Sequence, residues 1–266
     1  MTASNGTGAA ESGTLSVLQK GMRVLHAFSV TEPQLSLTEI AHRVDMHKST
    51  VSRILGQLEH MELVVRLPDS GHFQLGLGLI GLAGPLLANL DVRRVAYPAL
   101  ERLTDQTRET SALTVWTGHA SVSVEEIAGP QQVKHTSPIG TRYNTVDSAS
   151  VRVFLASLGE SSAREFLQQR LDTEIEVASY LDRIRKEHTE GCARNAGETS
   201  IEEVGVSAPV HDHRGNTVAA ILLSAPSFRV STHLWPQLAD AVRTAAADTS
   251  ARLGASADTT LAARGW

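Results

Sequence analysis

The chain reads as an α+β protein in two parts, and three observations predict this. Residues 36–61 place apolar side chains at helical spacing on both sides of a break at Asp45-Met46. Two short strand-like runs follow, separated by the turn Pro68-Asp69-Ser70-Gly71. Beyond Ser111 strand and helix patterns mix, and they end in a hairpin pattern and a long amphipathic helix.

The first element is a helix over 15–29, with Leu18, Met22, Leu25 and Phe28 on the face expected to pack inward. The next begins at Ser36, where Glu39 three residues on completes a capping box that satisfies two orphan backbone N–H groups. Leu37, Ile40, Ala41 and Val44 form its apolar face. After the break, Val51, Ile54, Leu55, Leu58 and Met61 predict a second helix from about His47. Its opposite face carries Lys48, Ser49, Ser52 and Arg53, with Thr50 beside them. Short hydroxyls and long cations near a helix start are the groups that meet phosphates and base edges in a major groove. Ordinary solvated helices carry such residues too, so the flanks matter. Strands at 63–66 and 72–75 complete three helices and a hairpin, the order of a winged helix-turn-helix. The hairpin offers Arg66, Ser70 and His72 to a sugar-phosphate backbone. Ser36 and Thr38, at the start of the first helix of the pair, join His47 as further candidate DNA contacts.

Composition bounds the rest. At 266 residues, with 41% apolar and 20% charged side chains, the chain is an ordinary globular protein of two-domain length. No run of about 18 apolar residues appears, so no membrane span is expected. The lead-in MTASNGTGAAESG has neither the basic nor the apolar part of a signal peptide. A single cysteine, Cys192, excludes an intrachain disulfide and suits a cytoplasmic location. The net charge of −5 argues against indiscriminate coating of nucleic acid. Even between Leu15 and Leu77, cations and carboxylates balance, which favours a site-specific dimer over tight non-specific binding.

The run Gly76-Leu-Gly-Leu-Ile-Gly81 matches a dinucleotide-binding pattern, but helical segments at 79–90 and 93–108 follow instead of a βαβ unit. These glycines are expected to let the hairpin turn closely into a linker helix. Strands are then predicted at 112–116, 120–124 and 132–136, and a short helix from Asp147-Ser148-Ala149-Ser150 through Leu158. Helices follow at 161–171, with a capping box from Ser162 to Glu165, and at 173–190, closed by Gly191. A hairpin at 204–210 and 217–224 and a helix at 235–253 complete an antiparallel sheet flanked by helices.

Catalytic chemistry finds no motif here: no G-x-S-x-G, P-loop or H-E-x-x-H appears. His211-Asp212-His213 has metal-ligand character, but it sits in a polar turn without further ligands nearby, so neither metal nor cofactor is expected. The hairpin strands are interrupted by Gly205, Ser207 and Ser224, and small polar residues there suit a ligand pocket as well as they suit a core. The helix opening at Ser148 can hold an anion or a polar head group.

The order of these features resembles the IclR family of bacterial transcriptional regulators over about 15–255. The resemblance is strongest in LSLTEIAHRVDMHKSTVSRILGQLEHMELVVR, in PDSGHFQLGLGLIGLAG, and in SAPVHDHRGNTVAAILLSAPSFR. It implies a disordered tail (1–13), a winged helix-turn-helix DNA-binding domain (14–77), a dimerising linker helix (78–92), a GAF-like effector-binding domain (93–256) and a disordered end (257–266). It also implies double-stranded operator DNA as partner, a small-molecule metabolite as effector, and self-association as dimers or dimers of dimers. The recognition helix falls on 47–56. The effector pocket maps to Ser148 and Ala149, to Asn195, and to Gly205, Leu222 and Ser224, with Trp116 as a wall. The chain departs from the family pattern at Asn144–Arg152, and it has Gly205 and Leu222 at positions often polar. A pocket that loses polar contacts and gains space suggests an aromatic or bulky organic acid as effector. Two other readings stand beside this one: a small-molecule-processing enzyme with an appended interaction module, and a regulator whose C-terminal domain only oligomerises.

Overall fold

The computed structural model describes residues 16–29, 32–88 and 91–256, with the side chains of 85–88 and 91 excepted. The chain divides into two compact units at 89/90. The tails at 1–13 and 257–266 lie outside the described residues, as do Leu15, Leu90 and the junction itself.

In the N-terminal unit, α1 (Val17–Leu25) is followed by β1 (Gln34–Leu35), α2 (Leu37–Arg43) and α3 (Lys48–His60). Then β2 (Val64–Arg66), β3 (Phe73–Leu75) and α4 (Gly78–Ala88) complete it. The Ser36 capping box forms: Ser36 Oγ accepts from the Glu39 N–H at 3.2 Å, and Glu39 Oε2 accepts from the Ser36 N–H at 2.7 Å. Asp45 turns the chain between α2 and α3 in the left-handed region at φ 51°, which Asp tolerates better than most residues. The core joins Ile40, Ala41 and Val44 to Val51, Ile54, Leu55 and Leu58, with Val24 and Phe28 from the first segment.

Two apolar assignments need correction. The inward residue of α1 is Val24, fully buried, whereas Leu18 is 76% and Met22 46% exposed. The segment has apolar side chains on more than one face, so spacing could not select the one that meets α3. Met61 is 61% exposed because α3 stops at His60 and Met61 is only its C-cap. The hairpin pairs Val64 with Leu75 and Arg66 with Phe73, and β1 adds an unforeseen third strand against β3. Gly76 shows why glycine stands there: a Cβ would lie 2.1 Å from the Glu62 carbonyl oxygen. The close turn expected of the glycine run is therefore a packing requirement.

The C-terminal unit opens with α5 (Asp91–Thr107), β4 (Thr110–Trp116), β5 (Ser121–Ile127) and β6 (Arg142–Tyr143). Three helices follow: α6 (Ala149–Leu158), α7 (Glu160–Gln168) and α8 (Glu174–Glu190). Last come β7 (Ala193–Asn195), β8 (Glu203–His211), β9 (Thr217–Pro226) and α9 (Trp235–Arg252). The strands form one antiparallel six-stranded sheet in the order β6-β5-β4-β9-β8-β7.

Alternation sends Leu113, Val206, Ala208, Ile221 and Leu223 to one face, where they pack with α5 and α9. The other face meets α6 through Ala193 and Ala220, which cluster with Ala149, Val153 and Phe154. α7 and α8 cover α6 in turn, through Phe166, Leu167, Leu181 and Ile184. The architecture is α+β.

Here too the structure departs from expectation. Residues 132–136 form no strand; the edge partner of β5 is β6, which pairs Ser121 with Tyr143. The 132–136 segment is instead tied down by side chains, as described below. α7 starts at Glu160 behind Gly159, so no capping box runs from Ser162 to Glu165. Gly159, at φ 84°, admits the earlier start. By contrast α8 ends as expected at Gly191, in the left-handed region, and its start carries an unforeseen capping box of Thr173 with Glu176.

Candidate functional site

On α3 the apolar stripe Val51, Ile54, Leu55 and Leu58 is buried, and Lys48, Ser49, Ser52 and Arg53 are exposed on the other side. Thr50 is half-buried. His47 is the N-cap residue without a capping side-chain bond; its Nδ1 lies 3.1 Å from Ser49 Oγ. The first backbone N–H groups of α3 thus have no side-chain cap, which suits a helix start facing phosphate. Thr38 is exposed at the start of α2, whereas the Ser36 hydroxyl is committed to the cap. On the hairpin Arg66 is exposed and lies over the Phe73 ring at 5.7 Å, and the exposed Ser70 accepts from the His72 N–H at 3.2 Å. These residues line up on an exposed helix face and an exposed hairpin of one unit.

The effector residues lie differently. Register places Asn195, Gly205, Ser224 and Thr110 side by side across four strands, and Ala193, Ser207, Leu222 and Ala112 in the next row. Both rows belong to the face toward α6. All the candidates on these rows are buried: Ser207 is 0%, Asn195 4%, Leu222 4% and Ser224 6% exposed. Ser148 and Ala149 are buried at the start of α6. Half-buried Trp116 stacks on Phe154, with centroids 5.5 Å apart, and tilts toward Phe166 at 5.7 Å.

Several of these groups already have partners. Asn195 Oδ1 accepts from the Gly197, Glu198 and Thr199 N–H groups, and its Nδ2 donates to Thr199 and Glu203. Ser207 Oγ donates to the Ile221 carbonyl at 3.0 Å, and Ser148 Oγ pairs with Ser150 Oγ at 3.1 Å. The face is closed. An open cleft of about 270 Å³ lies elsewhere, by Arg183, Lys186, Arg194 and Trp235. Its charged side chains pair largely with Glu187 and Glu190, so the buried face remains the better chemical candidate.

Sequence reasoning missed the groups that hold this face. Arg152 has no exposed side-chain surface, and its guanidinium grips Glu187 at 2.7 and 3.1 Å. It also donates to the carbonyls of Val146, Asp147 and Arg194. Arg152 thereby fastens the approach to α6 onto α8 and β7. Tyr180 donates to Asp147, and burial together with that bond pushes its phenol up to about 12.

A second missed group is the segment 128–141. His135 Nε2 lies 2.7 Å from Glu203 Oε2, and the Ser137 N–H donates to Glu126 Oε2 at 2.9 Å. Ser123 Oγ donates to the Ser137 carbonyl at 2.7 Å, and Ser137 Oγ lies 2.5 Å from the Tyr143 hydroxyl. Glu203 belongs to β8 and Glu126 to β5, with β9 and β4 between them. The segment therefore crosses the sheet as a strap, at the end where β4 and β8 begin. A strand-like run forms a strand only when a neighbour supplies backbone partners, and here side chains supply them.

In the His211-Asp212-His213 run His211 ends β8 and the turn follows it. Asp212 Oδ1 accepts from the Arg214 and Asn216 N–H groups at 2.8 and 2.9 Å. Cys192 is buried beside Arg243, and burial raises its thiol above the usual range.

A winged helix-turn-helix joined to a domain of this kind defines a DNA-binding transcriptional regulator with an effector-binding domain. Residues 85–251 match the C-terminal domain of the bacterial transcriptional regulator IclR, and residues 17–68 match the IclR helix-turn-helix domain. The chain belongs to the IclR family, whose members are regulators and not enzymes. It is 26% identical over 241 residues to the HTH-type transcriptional regulator KipR of Bacillus subtilis (strain 168), covering 88% of this chain and 96% of KipR. A solved domain of an IclR-family putative transcriptional regulator is 50% identical, with a TM-score of 0.59 over 61% of this chain and 97% of that one. An IclR homologue from Microbacterium hydrocarbonoxydans, complexed with 4-hydroxybenzoate, shares the fold with a TM-score of 0.75 at 23% identity, covering 91% of this chain and 100% of that one. No helix among the described residues is long and apolar enough to cross a membrane.

Proposed function

We propose that this regulator acts in the cytoplasm as a dimer, or a dimer of dimers, on a pseudo-palindromic operator. Lys48, Ser49, Thr50, Ser52 and Arg53 enter the major groove. His47, Ser36, Thr38, Arg66, Ser70 and His72 position the unit on the backbone. The observation that carries this reading is α3 itself, with its buried stripe set against an exposed hydroxyl-and-cation face. Two copies in successive major grooves place half-sites about one helical turn, or a multiple of it, apart. A second observation favours the dimer: α4 and its approach leave Leu77 79%, Ile80 62% and Leu82 70% exposed, an apolar surface that suits a second copy.

The C-terminal domain takes a small organic effector at the face bounded by Trp116, Ser148, Ala149, Asn195, Gly205, Ser207, Leu222 and Ser224. Binding there biases the arrangement of the two winged helices through 78–92, a shift of population between two states. The stacked Trp116 and Phe154 favour a ring-bearing ligand, and the relative that holds 4-hydroxybenzoate is consistent with that. The test is a mobility-shift titration on the DNA upstream of its own gene, at several salt concentrations, with scrambled competitor. Saturable binding that survives competitor and weakens log-linearly with salt supports the reading, because phosphate contacts release counterions. Equal affinity for scrambled sequence counts against it.

A further inference from the structure

On the reading that the face under α6 binds a ring-bearing effector, we propose that the effector's polar end is a hydrogen-bond donor, an ammonium or a hydroxyl, and not a carboxylate. The charge on that face carries the inference. Glu126, opposite Ala112, and Glu203, two residues before Gly205, both project to the side that carries the candidate effector residues. The strap brings them into one network through His135 and Ser137. Against these two carboxylates stand the His135 imidazole, already paired with Glu203, and Lys134, exposed on the strap. Arg152 belongs to α6 but is fully engaged by Glu187 and three carbonyls, so it offers nothing to an incoming anion.

The electrostatics of the neighbours agree. Burial is the chief cause holding the Glu126 carboxyl above its usual range although it accepts from the Ser137 N–H, whereas the bond to His135 chiefly holds Glu203 below its usual range. Burial chiefly, and then Glu203 and Glu126, push the Tyr143 phenol up despite its bond to Ser137. A carboxylate brought here meets like charge beside two half-buried acids, whereas an ammonium or hydroxyl offers them a further donor. A second observation is independent of the acids. Ser121 Oγ is fully buried without a hydrogen-bond partner, and Ser121 pairs with Trp116 on one side and Tyr143 on the other. Ser121 stands in the same cross-strand row as the Trp116 wall, and an orphaned hydroxyl there fits a ligand whose ring lies against that wall.

The test uses three ligands with one ring and different ends: 2-phenylethylamine, 2-phenylethanol and phenylacetate. Their affinities for the full-length protein are measured by titration calorimetry, beside E126Q. The amine or the alcohol is expected to bind at least tenfold more tightly than phenylacetate. E126Q is expected to lower amine affinity about tenfold and to raise that of phenylacetate, which a merely structural role for Glu126 would not do. E203Q, which frees His135, is expected to shift the same ratio in the same direction. Phenylacetate binding as well as the other two, or a ratio unmoved by both variants, overturns the donor assignment and leaves the effector reading standing. If none of the three binds, and a mixed panel of ring-bearing amines, alcohols and acids also fails to stabilise the fold, both readings fall together.

Discussion

The two units present their candidate sites in opposite ways. In the N-terminal unit the DNA-facing groups are those left over once α3 has buried its stripe, so the site is a solvated surface. In the C-terminal unit the candidate groups lie inside, between the sheet and α6, and Ser148, Asn195 and Ser207 already bond to neighbouring groups of the protein. A surface site can be altered without touching the fold. An interior site cannot, because its polar groups also satisfy the backbone around them.

The strongest challenge to this contrast is Arg152→Met. It removes the buried guanidinium from Glu187, which keeps Arg183 and the Arg194 N–H, and from the Val146 and Asp147 carbonyls, and chemical denaturation is expected to show a loss of about 3–5 kcal/mol. A loss below about 1 kcal/mol would mean that the interior tolerates change as the surface does. Gly76→Ala asks the same of the close turn behind the hairpin. With the Glu62 oxygen 2.1 Å from the new methyl carbon, a cost of about 1–3 kcal/mol is expected in the same measurement.

Arg53→Ala tests the surface side. Operator affinity in the mobility-shift assay is expected to fall about tenfold or more, with unfolding and ligand binding unchanged. Equal loss of DNA binding and stability would assign Arg53 to the fold. Ser36→Ala and Thr173→Ala form a matched pair, since each removes the hydroxyl of a complete capping box, one per unit. Each is expected to cost about 1 kcal/mol, and a large difference between them would show that one unit is held chiefly by local structure.

The smallest effect concerns pH. Burial holds the imidazoles of His188 and His211 below their usual range, and the neighbouring His188 adds to the shift of His211. The folded state therefore keeps both neutral where the unfolded chain would protonate them. Stability from this source is full above about pH 6.5 and is lost as pH falls through the lowered folded values. His211→Gln is expected to flatten that slope in denaturation curves taken between neutral and mildly acid pH.

Local signals were legible where one residue sets one bond. The Ser36 cap, the Gly191 stop, the buried stripe of α3 and the β8–β9 hairpin all follow from such signals. Misreadings arose where a choice depended on a distant partner. Leu18 and Met22 carry the spacing of a core face, yet α3 selects Val24. Residues 132–136 are expected as a strand, yet no neighbouring strand accepts them. Arg152 ends a run that departs from the family pattern, and its burial depends on Glu187, 35 residues away.

The sequence by itself determined the winged helix-turn-helix, the family, the mixed second domain and the exposed face of α3. Those follow from periodicity, capping and turn chemistry, which act within a few residues. Tertiary structure alone decided which polar groups meet under α6, that Glu126 and Glu203 share one network through the strap, and that Ser121 is left without a partner. Cross-strand register sets these juxtapositions, and register depends on the packing of the whole sheet between its helices.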